Sequence, residues 1–260
     1  MRLQGKVGIV TGGGRGIGRE YAMALAREGA KVCIAELDSA NAEQVVAELQ
    51  ADGHEAIAVV TDVGDEASCR DMAKKTIERF GGIDILVNNA AVFADDIGFN
   101  PLAWNFLESP MEQWRTLMRV NVEGVILATR AVVPSMKERG GGKIVNQSSI
   151  GAWSGFGPYG LSKNAVVELT RWFASALGPD RINVNAIAPG IITTDAVTTR
   201  SKRTPEQLQA YLDGMRAQVP FKRLGEPRDL LGCLLFLVSA DSDYISGQTI
   251  SVDGAWIRRP

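Results

Sequence analysis

The sequence is poor in the residues that build metal sites, disulfide frameworks and histidine-dependent hydrolases. It contains one histidine, His54, and three cysteines, Cys33, Cys69 and Cys233, with no C-x-x-C pair among them. A disulfide framework or a structural zinc site needs more cysteines at closer spacing, so we expect no metal site. A Ser-His-Asp hydrolase would have to use His54, which lies in a polar segment that we interpret as a loop. Cys33 and Cys233 lie in apolar stretches and are expected to be small, buried core residues.

Long apolar runs and a strong charge imbalance are also missing. The longest apolar run, Leu230 to Val238, is too short to cross a bilayer, and the first residues show no signal-peptide core. A formal net charge of −2 gives no electrostatic reason to expect nucleic acid or an anionic membrane as a partner. We therefore expect a soluble, cytoplasmic protein whose partner is a small molecule.

Short apolar segments alternate with helical patterns along the whole chain, which predicts parallel β-α-β units. The expected fold is α/β: a single doubly wound (Rossmann-like) parallel sheet of about seven strands with helices on both faces, in one domain over residues 1–260. Ligands bind such sheets beyond the carboxyl ends of the strands. The predicted strands are 7–10, 31–35, 56–60, 83–87, 143–146, 181–187 and 248–252. The predicted helices are 19–28, 41–50, 67–80, 111–137 (with Pro134 bending or ending part of it) and 159–177.

A glycine cluster follows the first predicted strand. Gly12, Gly16 and Gly18 have the spacing G-x-x-x-G-x-G, with Arg15 and Ile17 between them. One glycine allows a tight turn, another lets the backbone approach a pyrophosphate, and a third lets helix and strand pack closely. The helix that begins here aims its N-terminal amides at the phosphates. The cluster therefore predicts dinucleotide binding.

Glu36 ends the second predicted strand, about 20 residues beyond the glycine turn. A carboxylate there can accept hydrogen bonds from the adenosine ribose hydroxyls, and it would repel a 2′-phosphate, which favours NAD over NADP. Arg15 argues the other way, because a guanidinium could pair with that phosphate, although a solvated Arg15 is the simpler interpretation. Asp62 and Val63, after the third strand, could contact the adenine edge; Asp62 could equally cap a loop.

Tyr159 and Lys163 are four residues apart in Tyr-Gly-Leu-Ser-Lys. On a helix this spacing puts both side chains on one face, within reach of a common substrate. A phenol beside an ammonium can give or take a proton near neutral pH, which a free phenol cannot. Together with the glycine turn, the pair indicates a nicotinamide-dependent oxidoreductase.

An ordered set of motifs resembles the short-chain dehydrogenase/reductase family over essentially the whole chain. The set comprises Thr11 to Gly18, Asn88-Asn89-Ala90, Asn121, the pair Ser148-Ser149, Tyr159-x-x-x-Lys163 and Pro189-Gly190. Tyr-x-x-x-Lys alone occurs by chance in many proteins, whereas the ordered set is specific.

The resemblance implies a role for each motif. Tyr159 is the acid/base, its pKa of about 10 lowered toward neutrality by Lys163 and the oxidised nicotinamide. Lys163 also binds the nicotinamide ribose, and Ser149 (or else Ser148) hydrogen-bonds the substrate oxygen. Asn121 holds a water in a proton relay, although it could merely break a helix. The remaining cofactor residues are Asn89 and Ala90, and the turn from Pro189 and Gly190 to Ile192 and Thr194, which meets the carboxamide.

Three segments are expected to shape the substrate pocket. They contain Phe93, Phe99, Trp104 and Phe106; Trp153, Phe156 and Pro158; and a lid at about 195–221, in which Thr204 to Gln207 predicts a capping box. The rings favour an apolar or aromatic alcohol or ketone, or they simply pack the loops onto the body. Arg200, Lys202 and Arg203 could attract an anionic acyl thioester or form a solvated face.

The leading interpretation is an NAD-dependent oxidoreductase acting on a secondary alcohol or ketone. An NADPH-dependent 3-oxoacyl-thioester reductase is the alternative enzyme, and a non-catalytic cofactor-binding regulator is the alternative of another class. The resemblance also implies a homotetramer, formed through the helices at 111–137 and 159–177.

Overall fold

Parallel strands build a single sheet in the computed structural model, which describes residues 1–93, 107–155, 157–194 and 204–257. Seven strands pair in the order β3-β2-β1-β4-β5-β6-β7. The strand order reverses between β1 and β4, which is the switch point where doubly wound sheets bind ligands. The strands are β1 (Val7–Thr11), β2 (Lys31–Glu36), β3 (Ala56–Val60), β4 (Ile85–Asn88), β5 (Gly142–Gln147), β6 (Ile182–Pro189) and β7 (Thr249–Val252).

Helices connect the strands and cover both faces of the sheet. They are α1 (Gly16–Arg27), α2 (Ser39–Ala51), α3 (Glu66–Phe80), α4 (Met111–Met118), α5 (Gly124–Glu138), α6 (Gly157–Leu177), α7 (Pro205–Gln218) and α8 (Arg228–Val238). A π-helical turn, Arg119–Glu123, joins α4 to α5 without a break. Within the described ranges, no helix is long and apolar enough to span a bilayer.

Side chains at the helix starts satisfy backbone N–H groups that have no partner inside the helix. The Asp38 side chain accepts from Ala40 N at 3.0 Å at the start of α2, and Asp65 accepts from Ser68 N at 2.7 Å at the start of α3. Thr204 and Gln207 form the predicted capping box of α7. Polar residues just ahead of the helical patterns therefore fix where these helices begin.

The core consists of one apolar layer on each face of the sheet. One layer joins α1, α2 and α8, with Leu25, Leu49 and Leu234 fully buried. The other joins α3, α5 and α6, with Met72, Met136 and Val166 fully buried. Because β1, β2 and β4 are covered on both sides, they read as nearly continuous apolar runs in the sequence.

The seven-stranded doubly wound fold is confirmed, with strand and helix ends that differ from the predicted ones by one or two residues in most cases. The apolar run from Leu230 to Val238 belongs to α8, for which no helix was predicted. Pro134 lies inside α5 and does not end it, because the helix continues to Glu138. The predicted burial of Cys233 was wrong, since this residue is half-buried, whereas Cys33 is buried as expected.

Candidate functional site

The glycine turn lies at the carboxyl end of β1, at the switch point. Gly12 and Gly16 have positive φ angles of 62° and 53°, which favour glycine over residues with a Cβ atom. A Cβ atom on Gly18 would collide with the carbonyl oxygen of Gly12 and lie 2.5 Å from Nδ2 of Asn89. The first two glycines therefore set the path of the turn, and the third lets α1 pack against it, while Ile17 packs on the core.

Thr11 and Asn89 tie the end of β1 to the end of β4. The Thr11 hydroxyl accepts from Asn89 N at 3.0 Å and from Ala90 N at 3.1 Å, and it donates to Val87 O at 3.3 Å. Asn89 Nδ2 donates to the carbonyl oxygens of Thr11 and Gly12, both at 3.0 Å. Asn89 therefore holds the glycine turn in place from the neighbouring strand, a supporting contact that the sequence motif did not reveal.

Glu36 lies beside the glycine turn, as predicted. One oxygen of its carboxylate accepts from Gly14 N at 3.1 Å, and the other accepts from Leu37 N at 2.8 Å. A Cβ atom on Gly14 would lie 2.8 Å from Cγ of Glu36. The carboxylate is thus fixed at the rim of the turn, where it can meet a ribose. Arg15 is exposed at the start of α1.

Asp62 caps a turn and also forms an ion pair. Its Oδ1 accepts from Gly64 N at 2.8 Å, and its Oδ2 lies 3.0 Å from Nη1 of Arg119 in the π-helical turn. Asp62 therefore caps a loop, and its carboxylate is still exposed enough to contact an adenine edge. Val63 is buried and packs against Gly124 at the start of α5.

Lys163 is held by the end of β5 rather than by Tyr159. Its Nζ donates to the carbonyl oxygen of Gln147 at 2.9 Å. The N–H of the same peptide unit belongs to Ser148 and donates to Ile187 O of β6. The Gln147 carbonyl therefore points to the opposite side of β5, where β4 has already ended at Asn88. With no strand beside it there, this carbonyl accepts its hydrogen bond from Lys163. Burial lowers the pKa of this lysine to about 8.

The two serines of the pair have different environments. Ser148 is buried, and its hydroxyl donates to the carbonyl oxygen of Lys163 at 2.9 Å. Ser149 Oγ accepts from Gly151 N at 3.1 Å, and interaction with Ser149 acts to lower the pKa of the Tyr159 phenol. A Cβ atom on Gly151 would lie within 3.5 Å of both Ser149 Oγ and the Tyr159 ring. Ser149 is therefore the hydroxyl beside the phenol.

The pKa of Tyr159 moves opposite to the expected direction within the protein alone. Burial raises it to about 12, and interaction with Ser149 opposes that rise. Lys163 Nζ lies 5.8 Å from the centre of the Tyr159 ring, so the ammonium contacts the face of the ring. In the protein alone, desolvation is the largest influence on this phenol. The expectation that Lys163 and the oxidised nicotinamide together lower the pKa stays a prediction.

Asn121 does not break a helix. It is buried in the π-helical turn, where its Oδ1 accepts from Val92 N at 2.9 Å and its Nδ2 donates to Val92 O at 3.1 Å. Nδ2 also donates to Ser162 Oγ at 3.1 Å, and Ser162 Oγ donates to Tyr159 O at 2.7 Å. Both N–H groups of this side chain are used in the clamp, and Oδ1 accepts one hydrogen bond. A relay water on Asn121 stays a prediction.

The turn after β6 reaches back toward the glycine turn. Gly190 N donates to Val252 O at 3.0 Å, and Ile192 is buried in a bridge with Gly225. The Thr194 side chain lies 3.9 Å from the position that a Cβ atom on Gly16 would occupy. The end of the turn that begins at Pro189 therefore lies close to the glycine turn. A cavity of about 240 Å³ is lined by Gly190, Ile192, Val219 and Phe221.

The two halves of the candidate site lie at one edge of the sheet. Thr11 ends β1 and Gln147 ends β5, with β4 between them, so the strands are about 10 Å apart at a spacing of about 4.8 Å per strand. The donor set fits a dinucleotide: a glycine-lined turn that Cβ atoms would fill, a carboxylate at its rim, and a lysine and a phenol two strands away. Among the described residues, no cluster of histidine, cysteine and acidic groups could hold a metal.

Several residues that hold the site were not predicted from the sequence as site residues. Arg119, Gln147 and Ser162 act through backbone groups or partners distant in the chain, so spacing gives no signal for them. Some predicted pocket residues lie outside the described residues: Phe99, Trp104, Phe106, Phe156, Arg200, Lys202, Arg203 and the first part of the lid, 195–203.

Comparisons with known proteins agree over nearly the whole chain. The family model described as enoyl-(acyl carrier protein) reductase matches residues 12–256. An uncharacterized oxidoreductase of Mycobacterium tuberculosis is 44% identical over 257 residues, which span 98% of this chain and 98% of that protein. Human dehydrogenase/reductase SDR family member 4 is 38% identical over 255 residues, which span 97% of this chain and 87% of that protein.

Solved structures with the same fold include one with a bound nicotinamide. A 7α-hydroxysteroid dehydrogenase in complex with NADH and 7-oxo glycochenodeoxycholic acid superimposes with a TM-score of 0.86 at 35% identity, covering 99% of this chain and 96% of that one. A short-chain type dehydrogenase/reductase from Mycobacterium marinum has a TM-score of 0.86 at 32% identity, covering 99% and 97%.

Proposed function

Because the chain belongs to the short-chain dehydrogenase/reductase family, we propose that it transfers a hydride between NAD(H) and a secondary alcohol or ketone, with Tyr159 as the acid/base. The observation that carries the proposal is the arrangement of Tyr159, Ser149 and Lys163 at the carboxyl ends of the strands. Ser149 Oγ and the Tyr159 ring both lie within 3.5 Å of the position that a Cβ atom on Gly151 would occupy, and Lys163 Nζ lies 5.8 Å from the centre of the phenol ring. These groups can exchange a proton with a substrate oxygen and stabilise the charge that develops on it.

NAD fits the glycine turn and Glu36. The carboxylate at the rim of the turn would accept hydrogen bonds from ribose hydroxyls, and it would repel a 2′-phosphate. Arg15, Gly12, Gly16 and Gly18 would surround the pyrophosphate, and the turn from Pro189 to Thr194 would hold the carboxamide. The bound nicotinamide would supply the hydride acceptor or donor. The NADH in the similar 7α-hydroxysteroid dehydrogenase structure supports this choice.

The cationic nicotinamide would also supply the charge that Tyr159 needs. Burial within the protein raises the pKa of Tyr159 to about 12. A positive charge near the phenol favours the phenolate, and so does a protonated Lys163. We therefore assign proton transfer to Tyr159 only when the coenzyme is bound.

The remaining expectations complete the proposal. Residues 1–260 form one catalytic unit, in which residues 195–221, including α7, act as a substrate lid. The chain assembles as a homotetramer through α4, α5 and α6; Trp172 of α6 is 63% exposed, which would suit such an interface. A cytoplasmic location stays a prediction.

The test begins with coenzyme binding. Fluorescence titrations with NADH and NADPH should show tighter binding of NADH. Glu36→Gln should reduce the difference in affinity between the two coenzymes, since it removes the charge that repels a 2′-phosphate. Equal affinities in the wild-type protein would contradict the assignment of NAD. Light scattering on the same samples would measure the oligomeric state.

Turnover is then followed at the absorbance of reduced nicotinamide over a panel of alcohols and ketones. Tyr159→Phe should lose nearly all turnover and keep coenzyme affinity, because it loses only the hydroxyl. Turnover close to that of the wild-type protein in this variant would remove Tyr159 from the proposed role. Tight NADH binding without turnover on any substrate would favour a cofactor-binding regulator.

A reductase of 3-oxoacyl thioesters is the second candidate, because the description of the matching family model names an acyl-carrier-protein reductase. Reduction of a 3-oxoacyl thioester with NADPH, faster than any reaction on the alcohol and ketone panel, would favour this candidate.

A further inference from the structure

Phe93 covers the phenol ring of Tyr159. The two ring centres are 4.7 Å apart and the planes meet at 89°, which is the edge-to-face geometry that aromatic pairs prefer. Phe93 is nevertheless 45% exposed, so part of this side chain stays open to solvent. One aromatic side chain therefore both packs against the acid/base and presents an apolar surface next to it.

The Asn121 clamp holds both partners of this contact. Its amide makes two hydrogen bonds to the backbone of Val92, which immediately precedes Phe93. Its Nδ2 also donates to Ser162 Oγ, which in turn donates to the carbonyl oxygen of Tyr159. Asn121 therefore ties the backbone just before Phe93 to the helix that carries Tyr159, so the ring contact is not the only link between the two segments.

We infer that Phe93 is a positioning and specificity-determining residue for the reaction of Tyr159, and that it selects substrates with an aryl or alicyclic group beside the reacting carbon. The inference rests on the proposed function, because it takes Tyr159 as the acid/base. A flat or cyclic apolar substituent can pack on the exposed part of the Phe93 ring, whereas a small acyclic alcohol leaves it in water.

The charged and polar groups around the phenol bear on its titration. Lys163 Nζ of the same helix lies 5.8 Å from the ring centre, and interaction with Ser149, after β5, opposes the effect of burial. Phe93, after β4, contributes no charge, so its effect on the pKa of Tyr159 acts through exclusion of water. Removing the Phe93 ring should therefore lower that pKa and leave the two polar contacts in place.

The first experiment reads the phenol directly and needs no turnover. Coenzyme-free protein is brought to about pH 11 by a rapid pH jump, and the phenolate absorbance is recorded before the protein unfolds. The absorbance of the same protein with Tyr159→Phe added is then subtracted, so that the remaining signal belongs to Tyr159. If Phe93→Ala lowers the pKa of Tyr159 by about one unit, the Tyr159 signal rises about fivefold. Phe93→Leu should give a smaller rise, because leucine still covers part of the ring.

A matched control is Phe80→Ala, which removes a half-buried ring at the end of α3, where Phe80 contacts Lys31 and Arg79. This variant should leave the Tyr159 signal unchanged. An unchanged signal in Phe93→Ala, or an equal change in Phe80→Ala, would overturn the inference, while the role of Tyr159 in turnover would be judged separately by Tyr159→Phe.

The second experiment measures specificity. Phe93→Ala should lower kcat/KM for aryl and alicyclic alcohols by about tenfold relative to a small acyclic alcohol, which corresponds to the loss of packing on one ring face. Equal losses on both kinds of alcohol would refute the specificity role even if Tyr159 proves essential.

Discussion

Replacement of Lys163 by methionine should make the folded protein more stable at neutral pH while removing a residue of the proposed catalytic set. Lys163 is 2% exposed, and burial lowers its pKa from 10.5 to about 8. Keeping this lysine protonated in the folded state at pH 7 therefore costs about 3 kcal/mol relative to the unfolded chain. Methionine avoids that cost but leaves the Gln147 carbonyl without its donor, which costs about 1–2 kcal/mol. The desolvation effect is the larger, so Lys163→Met should gain about 1–2 kcal/mol.

The gain should disappear as the pH rises. Below about pH 8 the lysine is protonated in both states, and the folded protein bears the full cost. Between about pH 8 and 10.5 the folded protein has released the proton while the unfolded chain still binds it, so the stability of the wild-type protein rises with pH. At pH 10 the advantage of the variant should have shrunk by about 2.5 kcal/mol, which makes the wild-type protein the more stable one.

Urea denaturation of both coenzyme-free proteins from about pH 7 to 10 measures this difference. Lys74→Met is the matched control, because Lys74 is exposed on α3, where it forms an ion pair of 3.8 Å with Glu78. The difference between that control and the wild-type protein should stay nearly constant with pH. A difference for Lys163→Met that does not change with pH, or that grows as the pH rises, would refute the reasoning.

Two further substitutions test the packing behind the site. Gly18→Ala should weaken NADH binding and lower stability, because its Cβ atom would collide with the Gly12 carbonyl. The control is Gly232→Ala, at an exposed position of α8 with open space around it. This control should raise the free energy of unfolding, measured by urea denaturation, by about 1 kcal/mol. A Gly18→Ala protein that binds NADH normally would contradict the close approach. Tyr21→Phe removes the hydroxyl that donates to Gln147 Oε1 at 3.0 Å in a buried pair, which should lower the free energy of unfolding by about 1–3 kcal/mol. Adding Gln147→Met to this variant should restore most of the lost stability, because no buried acceptor is then left without its donor. A loss that persists unchanged in the double variant would place the cost elsewhere.

The sequence predicted best what depends on local pattern. The glycine spacing, the position of Glu36 after β2 and the spacing from Tyr159 to Lys163 are all set by the chain path within one β-α unit or one helix turn. The structure places Glu36 against the turn and Tyr159 and Lys163 in contact, as that logic requires. Helix starts were accurate to within two residues for most elements, because capping depends on near neighbours.

Properties that depend on neighbours distant in the chain could not be predicted from the pattern. The phenol of Tyr159 contacts the ring of Phe93, 66 positions earlier, and burial raises the pKa of the phenol to about 12 in the protein alone. Asn121 is a clamp because Val92 and Ser162 meet it from two other segments. The choice between Ser148 and Ser149 depended on which hydroxyl bonds to the Lys163 carbonyl and which lies beside the phenol of Tyr159.

The sequence by itself determined the α/β architecture, the glycine turn and the identity of the groups that can exchange a proton, since these follow from apolar periodicity, backbone freedom and side-chain chemistry. Only the tertiary structure decided which carbonyl holds Lys163, which serine meets Tyr159 and how dry the phenol is. Hydrogen bonds across strands and desolvation depend on segments brought together by folding, and a linear pattern carries no distance between them.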